Sequence, residues 1–199
     1  MSTKMTKVLV LGASGQIARR AVQMLADQDA ELTLLLRDAS KLADPPGHAR
    51  IVEVDVLERE QLDPAVCGQD IVYANLAGDL DVQAARIVES MITAGVQRLI
   101  FITSLGIYDE VPGALRQWNR RQPGPLLCPY RAAADTIEAS GLDYTILRPA
   151  WLTNPDEVSY EVAPETRTLQ RDRGLTQERG SPRRRHRHVP RAVVARTYG

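Results

Sequence analysis

KVLVLGASGQIARR, residues 7–20, joins three local signals without a linker. Val8 to Leu11 is a short apolar run that reads as a buried strand. Gly12-Ala13-Ser14-Gly15-Gln16-Ile17 follows at once, and Ala18, Val22 and Leu25 then recur at helical spacing. Strand, glycine turn and helix in this order form the context in which a glycine fingerprint carries meaning. Gly12 permits the tight turn out of the strand. Gly15 has no Cβ, so a pyrophosphate can approach the backbone. Ala18 is small enough for the helix to pack closely on the strand. The open N–H groups of the helix start, together with the positive end of its dipole, suit phosphate. The spacing is G-x-x-G-x-x-A rather than the commoner G-x-G-x-x-G.

Further βα units follow. Leu32 to Leu36 reads as a second strand, with Arg37 and Asp38 directly at its C-terminal end. In a dinucleotide fold this is the place of the adenosine ribose. An acid there takes a 2′-hydroxyl, whereas an arginine suits a 2′-phosphate through its planar fork of donors. Arg37 comes first, which favours NADP(H); Asp38 keeps NAD(H) open. Ile51 to Val54 is strand three, ending at Asp55 and Val56. The Asp55 carboxylate either accepts from an adenine amino group or caps the next turn. Glu58 to Val66 is a short helix. Asp70 to Ala74 is strand four, followed by Asn75-Leu76-Ala77-Gly78, whose small residues allow close approach to a cofactor ribose.

Asp81 to Ala94 reads as an amphipathic helix, with Val82, Ala85, Val88 and Ile92 on one face and Gly95 at C′. Gln97 to Thr103 is strand five, closed by Ser104, with Tyr108 shortly after. Val111 to Cys128, rich in Pro, Gly and Arg, reads as a segment covering a pocket or as a surface connection. Tyr130 to Ser140 is a helix closed by Gly141. Tyr144 to Leu147 is strand six, and Arg148-Pro149-Ala150-Trp151 leaves the sheet. Repeated βα units imply a doubly wound parallel sheet of Rossmann type in an α/β domain. Its ligands bind beyond the carboxyl ends of the strands.

Composition sets the outer limits. A chain of 199 residues is one domain's worth and can bury a real core. Met1 to Gly12 has too short an apolar run for a signal peptide, and no stretch approaches a membrane span. No membrane role is therefore expected. Cys67 and Cys128 match no metal or redox spacing. Both are read as small core residues, no metal site is expected, and the implied compartment is a reducing cytoplasm.

Charge is uneven. Residues 1–163 hold 15 Lys and Arg against 22 acids, whereas residues 164–199 hold 10 Arg, no Lys and 3 acids. After Val162 the βα pattern stops. The expected division is a dinucleotide-binding domain over 1–162 and an irregular, basic C-terminal tail over 163–199. Within the tail Val189 to Ala195 is a weak apolar run. Three readings of the tail compete: an arm for nucleic acid or another polyanion, a solvated segment, or a segment out of frame relative to related chains. No aromatic residues are interleaved for base stacking, so nucleic acid is the least expected partner. Arginine without lysine, beginning abruptly, favours the out-of-frame reading.

GASGQIA near the start, NLAG after strand four, the FITSLGIY strand end and SGLDYTILRPAW carry a family resemblance over about residues 7–160. The chain resembles the atypical short-chain dehydrogenases/reductases of the NmrA-like, NAD(P)H-binding group. The resemblance implies a Rossmann fold, a nicotinamide cofactor and often reductase activity; some relatives bind the cofactor as non-catalytic sensors. The expected partner is therefore a small-molecule substrate or a regulated protein. On this basis the cofactor contacts are expected from Gly12, Ala13, Ser14, Gly15, Gln16, Ile17, Arg37, Asp55, Val56, Asn75, Leu76, Ala77, Gly78, Thr103 and Pro149. Typical members of the wider family use Ser, Tyr and a Lys four residues after Tyr. Ser104 matches the serine, and Tyr130, with Tyr108 as an alternative, is the tyrosine. Four residues after Tyr130 stands Ala134, and the chain's lysines are Lys4, Lys7 and Lys41. A tyrosine without a neighbouring ammonium keeps a high pKa and serves poorly as a base, although it can still donate a proton.

Overall fold

The computed structural model describes residues 5–42, 44–108, 127–149, 160–164 and 192–197, the last two strands by their backbone alone. Six βα-type strands run in the expected order: β1 (Thr6–Leu11), β2 (Ala30–Leu36), β3 (Arg50–Glu53), β4 (Ile71–Ala74), β5 (Arg98–Ile102) and β6 (Asp143–Leu147). Between them lie α1 (Gln16–Ala26), α2 (Arg59–Val66), α3 (Leu80–Ala94) and α4 (Cys128–Glu138), and a 3-10 turn spans Ala39–Lys41. β1 pairs in parallel with both β2 and β4, so the chain reverses its direction of growth beside β1. This is the switch point at which such sheets open a crevice.

The sheet continues past β6. β7 (Tyr160–Pro164) and β8 (Ala192–Thr197) complete the order β3-β2-β1-β4-β5-β6-β8-β7. β8 is parallel to β6, and β7 is antiparallel to β8. Six strands are expected from the sequence; the last two correct that count. The weak apolar run at Val189 to Ala195 overlaps β8, but it is too short and too close to arginine to stand out by periodicity. Residues 165–191, which hold most of the Arg-rich segment, lie outside the described residues, as do 109–126 with Trp118, and Ala150 and Trp151.

The core is split by the sheet. On one face Leu9, Leu11, Leu35, Val72, Leu99 and Phe101 meet the inner sides of α2, α3 and α4. On the other Val8, Val10, Leu32, Leu34 and Tyr73 meet Ala18 and Val22 of α1. Near-continuous apolar strands follow from this double coverage. β3 is the exception, since Arg50, Ile51 and Glu53 of this edge strand are exposed.

α3 corrects a second expectation. Its buried side is Leu80, Ala84, Ile87, Val88 and Met91, whereas Val82 and Ile92 are 46% and 54% exposed. The helix carries two overlapping apolar stripes, and the bulkier one, which begins two residues earlier at Leu80, is the one that packs. Gly95 takes the left-handed C-terminal position, φ 71°, as its place after the helix implies. Cys67 and Cys128 are both exposed rather than core residues, because one ends α2 and the other begins α4.

Candidate functional site

Gly12 holds the turn from β1 to α1 at φ +74°. A Cβ there would sit 2.1 Å from the Asn75 carbonyl oxygen, so both the dihedral and the space demand glycine. The Gly12 N–H donates to Leu35 O at 2.9 Å, and Asn75 N–H donates to Leu11 O at 3.0 Å. The turn is thereby wedged between the ends of β2 and β4. Gly15 has an ordinary φ of −65° and starts α1 without a side-chain cap. A Cβ on Gly15 would meet the Asn75 side-chain amide at 2.6 Å. No acid stands in the first turn of α1. Its leading N–H groups lack intrahelical acceptors and retain the positive end of the dipole.

This turn opens into a cavity of about 400 Å³, a normal size for a ligand site. From the glycine turn it is lined by Gly12, Ser14, Gly15, Gln16 and Ile17. The end of β2 adds Leu35, Leu36, Arg37 and Asp38, and the 3-10 turn adds Lys41. The segment after β3 gives Val54, Asp55 and Val56; the segment after β4 gives Asn75, Leu76 and Ala77; α3 gives Gln83. Four of the fifteen expected cofactor residues lie elsewhere. Ala13 is fully buried. Gly78 takes φ +99° beside the cavity wall. Thr103 ties β5 to β6 by donating from N and Oγ1 to Leu147 O at 2.7 and 3.1 Å. Pro149 O accepts from Leu105 N–H at 3.2 Å.

The walls differ in charge. Arg37 is exposed and lines the cavity, as does Lys41. Arg19 of α1 donates to Lys41 O at 3.0 Å and so fixes the 3-10 turn against the helix. Asp38 accepts from Ser40 N and from Ser40 Oγ, at 3.1 and 2.6 Å, and pairs with Lys41 at 3.6 Å. The Ser40 hydroxyl, aided by Lys41, holds the Asp38 carboxyl below its ordinary pKa. Asp55 takes the capping role, its Oδ1 accepting from Leu57 N–H at 3.0 Å, and the residue also lines the cavity.

Leu35, Leu36, Val54, Lys41 and Gln83 were not expected as site residues. The first three were visible as strand ends. Lys41 and Gln83 carry no sequence signal, since each reaches the cavity through a neighbouring element.

A dinucleotide fits these donors and surfaces: a glycine cradle, an uncapped helix start, cations at the end of β2 and apolar walls at Val56 and Leu76. Among the described residues no cluster could hold a metal ion, and no helix is long and apolar enough to cross a membrane.

The candidate proton donors lie apart from this cavity. Ser104, at the end of β5, is half-buried, and its hydroxyl faces Leu105 O at 3.5 Å. Tyr130, in the first turn of α4, packs against the core. One turn on, Ala134 is fully buried, so the position of the family lysine faces the interior. Tyr108 borders a second cavity with Gly106, Ile107, Leu127, Cys128 and Arg131. Its hydroxyl donates to Glu138 Oε1, and the guanidinium groups of Arg131 and Arg148 lie over its ring, 4.6 and 4.7 Å from the centroid. Burial and the Glu138 carboxylate push the Tyr108 phenol well above its usual pKa.

Known proteins resemble this chain in sequence and fold. The sequence profile of a family described as NAD(P)H-binding matches residues 12–197. A curated relative from Bacillus subtilis (strain 168), named uncharacterized sugar epimerase YhfK, is 32% identical over 167 residues, covering 74% of this chain and 73% of its own. Among solved structures, a Rossmann-fold NAD(P)-binding family protein from Shigella flexneri is 46% identical. The match covers 83% of this chain and 78% of that one, with a TM-score of 0.71. A short-chain dehydrogenase/reductase from Veillonella parvula DSM 2008, solved in complex with NADP, is 27% identical. It covers 82% of this chain and 78% of its own, with a TM-score of 0.75.

Proposed function

The chain belongs to the NAD(P)H-binding family, and on that premise we propose that it is an NADPH-dependent reductase of a small carbonyl, quinone or flavin-like acceptor. One observation carries the reading: a continuous cavity joins the Gly12–Gly15 turn to the Arg37 and Lys41 cations. The first turn of α1, directly after Gly15, offers N–H donors where a pyrophosphate would lie. Arg37 and Lys41 offer positive charge where a 2′-phosphate would lie, while Asp38, the group suited to a 2′-hydroxyl, is occupied by Ser40. The NADP complex of the Veillonella relative supports the same choice.

The nicotinamide, when bound, supplies the hydride. The protein's part is to orient it and to furnish a proton. Ser104 and Tyr130 are the proposed donors, beyond the end of β5 and at the start of α4. Tyr108 is the weaker candidate, because its proton is directed to Glu138. A second reading, a non-catalytic NADP(H)-binding sensor, is favoured by Ala134, which leaves Tyr130 without the lysine of the typical pattern.

Titration of the full chain with NADPH and NADH by fluorescence, followed by turnover assays with quinones, aldehydes and flavins, separates these readings. The reductase reading expects binding and oxidation of NADPH, with Ser104→Ala and Tyr130→Phe lowering turnover and sparing affinity. Tight binding without turnover on any acceptor supports the sensor. Arg37→Ala is expected to weaken NADPH by roughly tenfold or more, the loss of a charge-assisted hydrogen bond worth about 1.5–3 kcal/mol, and to leave NADH unchanged. Equal weakening of both cofactors would assign Arg37 a structural role.

A further inference from the structure

Tyr108, in the turn after β5, is held from two other elements. Its hydroxyl donates to Glu138 Oε1 in the last turn of α4. Arg131 of α4 and Arg148, directly after β6, place their guanidinium groups over its ring. Arg148 is 1% exposed, so an entire buried cation is committed to this spot, where desolvation strengthens its attraction to the ring. The chain leading to Tyr108 is tied to the same end of β6. Thr103 donates from N and Oγ1 to Leu147 O, and Leu105 N–H donates to Pro149 O. Ser104 thus lies between two tied residues, opposite Arg148, which lies between their two acceptors.

The two proposed proton donors come from different elements, Ser104 from the segment after β5 and Tyr130 from the first turn of α4. Proton transfer depends on their relative placement, and a misplacement of about 1 Å costs about a hundredfold in rate. Apolar packing alone is non-directional and sets such a distance loosely. The Tyr108–Glu138 bond is directional and runs straight from one element to the other. The Arg148 stack adds the end of β6 to the same assembly. The Tyr108 proton is spent on Glu138 and so is turned away from an acceptor. We propose that Tyr108 and Glu138 form a clasp that sets Ser104 in place relative to α4, which makes Tyr108 a positioning residue acting through Ser104 and not a proton donor. The effect on turnover rests on the reductase reading above; the effect on the placement of Ser104 does not.

Both partners can be changed without disturbing the buried Arg148. The full chain is compared with Tyr108→Phe, Glu138→Met, the double variant and Glu138→Gln, using NADPH as reductant and menadione as the probe acceptor. Tyr108→Phe and Glu138→Met are each expected to lower kcat by about tenfold or more, with KM for menadione, NADPH affinity and melting temperature close to wild type. The double variant should be no slower than either single one, because both remove the same bond. Glu138→Gln should keep wild-type kcat, since its amide oxygen still accepts from the phenol. Apart from turnover, amide hydrogen exchange at Thr103 and Leu105 should quicken in Glu138→Met while that at Val10 in β1 stays unchanged. Loss of turnover in Tyr108→Phe alone would make Tyr108 the donor and overturn the inference. Unchanged exchange at Thr103 and Leu105 in Glu138→Met would also overturn it. So would faster exchange at Val10 with a matching fall in melting temperature, the mark of a general brace. A wild type that binds NADPH but oxidises it with no quinone, aldehyde or flavin removes the reductase reading instead, and the exchange result then decides the clasp by itself.

Discussion

Gly12 and Gly15 stand three residues apart in one turn and are glycine for different reasons. At Gly12 the left-handed φ of +74° and the Asn75 carbonyl both exclude a side chain. At Gly15 the backbone is ordinary, and a Cβ would meet the movable end of Asn75 at 2.6 Å, with the Gly12 carbonyl oxygen at a tolerable 3.2 Å. Gly12→Ala should therefore destabilise the fold by about 2 kcal/mol or more, from the dihedral cost and the backbone collision together. Gly15→Val should fold with a near-native melting temperature while losing NADPH affinity, since its bulk projects toward the cradle. Calorimetry and fluorescence titration of the two variants check this split. The glycine spacing in the sequence marks the turn, but it does not distinguish the two roles. That distinction depends on Asn75, sixty residues away, which the fold brings alongside. Tyr73 offers a second residue-scale test. Burial raises its phenol to about 12, above the value near 10 of an unfolded chain. A raised acid pKa favours the neutral, folded form, so this contribution is complete below pH 10 and is lost as pH rises from about 10 to about 12. The melting temperature should fall across that window, and Tyr73→Phe should blunt the fall.

At the scale of elements, α3 shows how a correct helix can be turned the wrong way. Its limits follow from the sequence, with Gly95 as the stop. Its buried face does not, because Val82, Ala85, Val88 and Ile92 form as regular an apolar stripe as Leu80, Ala84, Ile87 and Met91. The choice is made by α4 and the sheet, whose shape accepts the second stripe. Ile87 is fully buried and Ile92 is 54% exposed. Ile87→Ala is accordingly expected to cost about 2–5 kcal/mol, and Ile92→Ala about 0.5 kcal/mol or less. Urea denaturation of the two variants measures the difference; similar losses would mean that the helix is rotated toward the sequence expectation. The same dependence on neighbouring elements explains why Gln83 escapes a sequence reading. A glutamine on an apolar helix face looks like a solvated edge until the segment after β4 folds over it. Arg37, by contrast, is legible because its place is set by the strand it ends.

At the scale of the whole molecule, β7 and β8 bear on where the domain ends. Read along the chain, residues 163–199 look like an appendage, with the domain ending at 162. In the sheet, β7 and β8 are antiparallel neighbours in a register that runs from Tyr160 opposite Thr197 to Pro164 opposite Val193. The family match likewise runs to residue 197. β8 also covers the edge of β6, pairing Ala192 and Val193 with Ile146 and Leu147. Uncovered strand edges invite pairing with other chains. A chain cut after Ala163 is therefore expected to melt several degrees lower, at about 2–4 °C per kcal/mol for a domain of this size, and to self-associate. Replacing 166–190 by a short Gly-Ser turn should instead preserve the melting temperature and NADPH affinity, because Pro164 and Val193 face each other in the β7–β8 register and a short connection between neighbouring strand ends costs little closure entropy. Calorimetry, light scattering and NADPH titration of both variants decide the matter. If the cut chain matches the full chain in all three, the domain ends near 162. If the loop replacement alone abolishes cofactor binding, the arginine-rich connection contributes to the site directly.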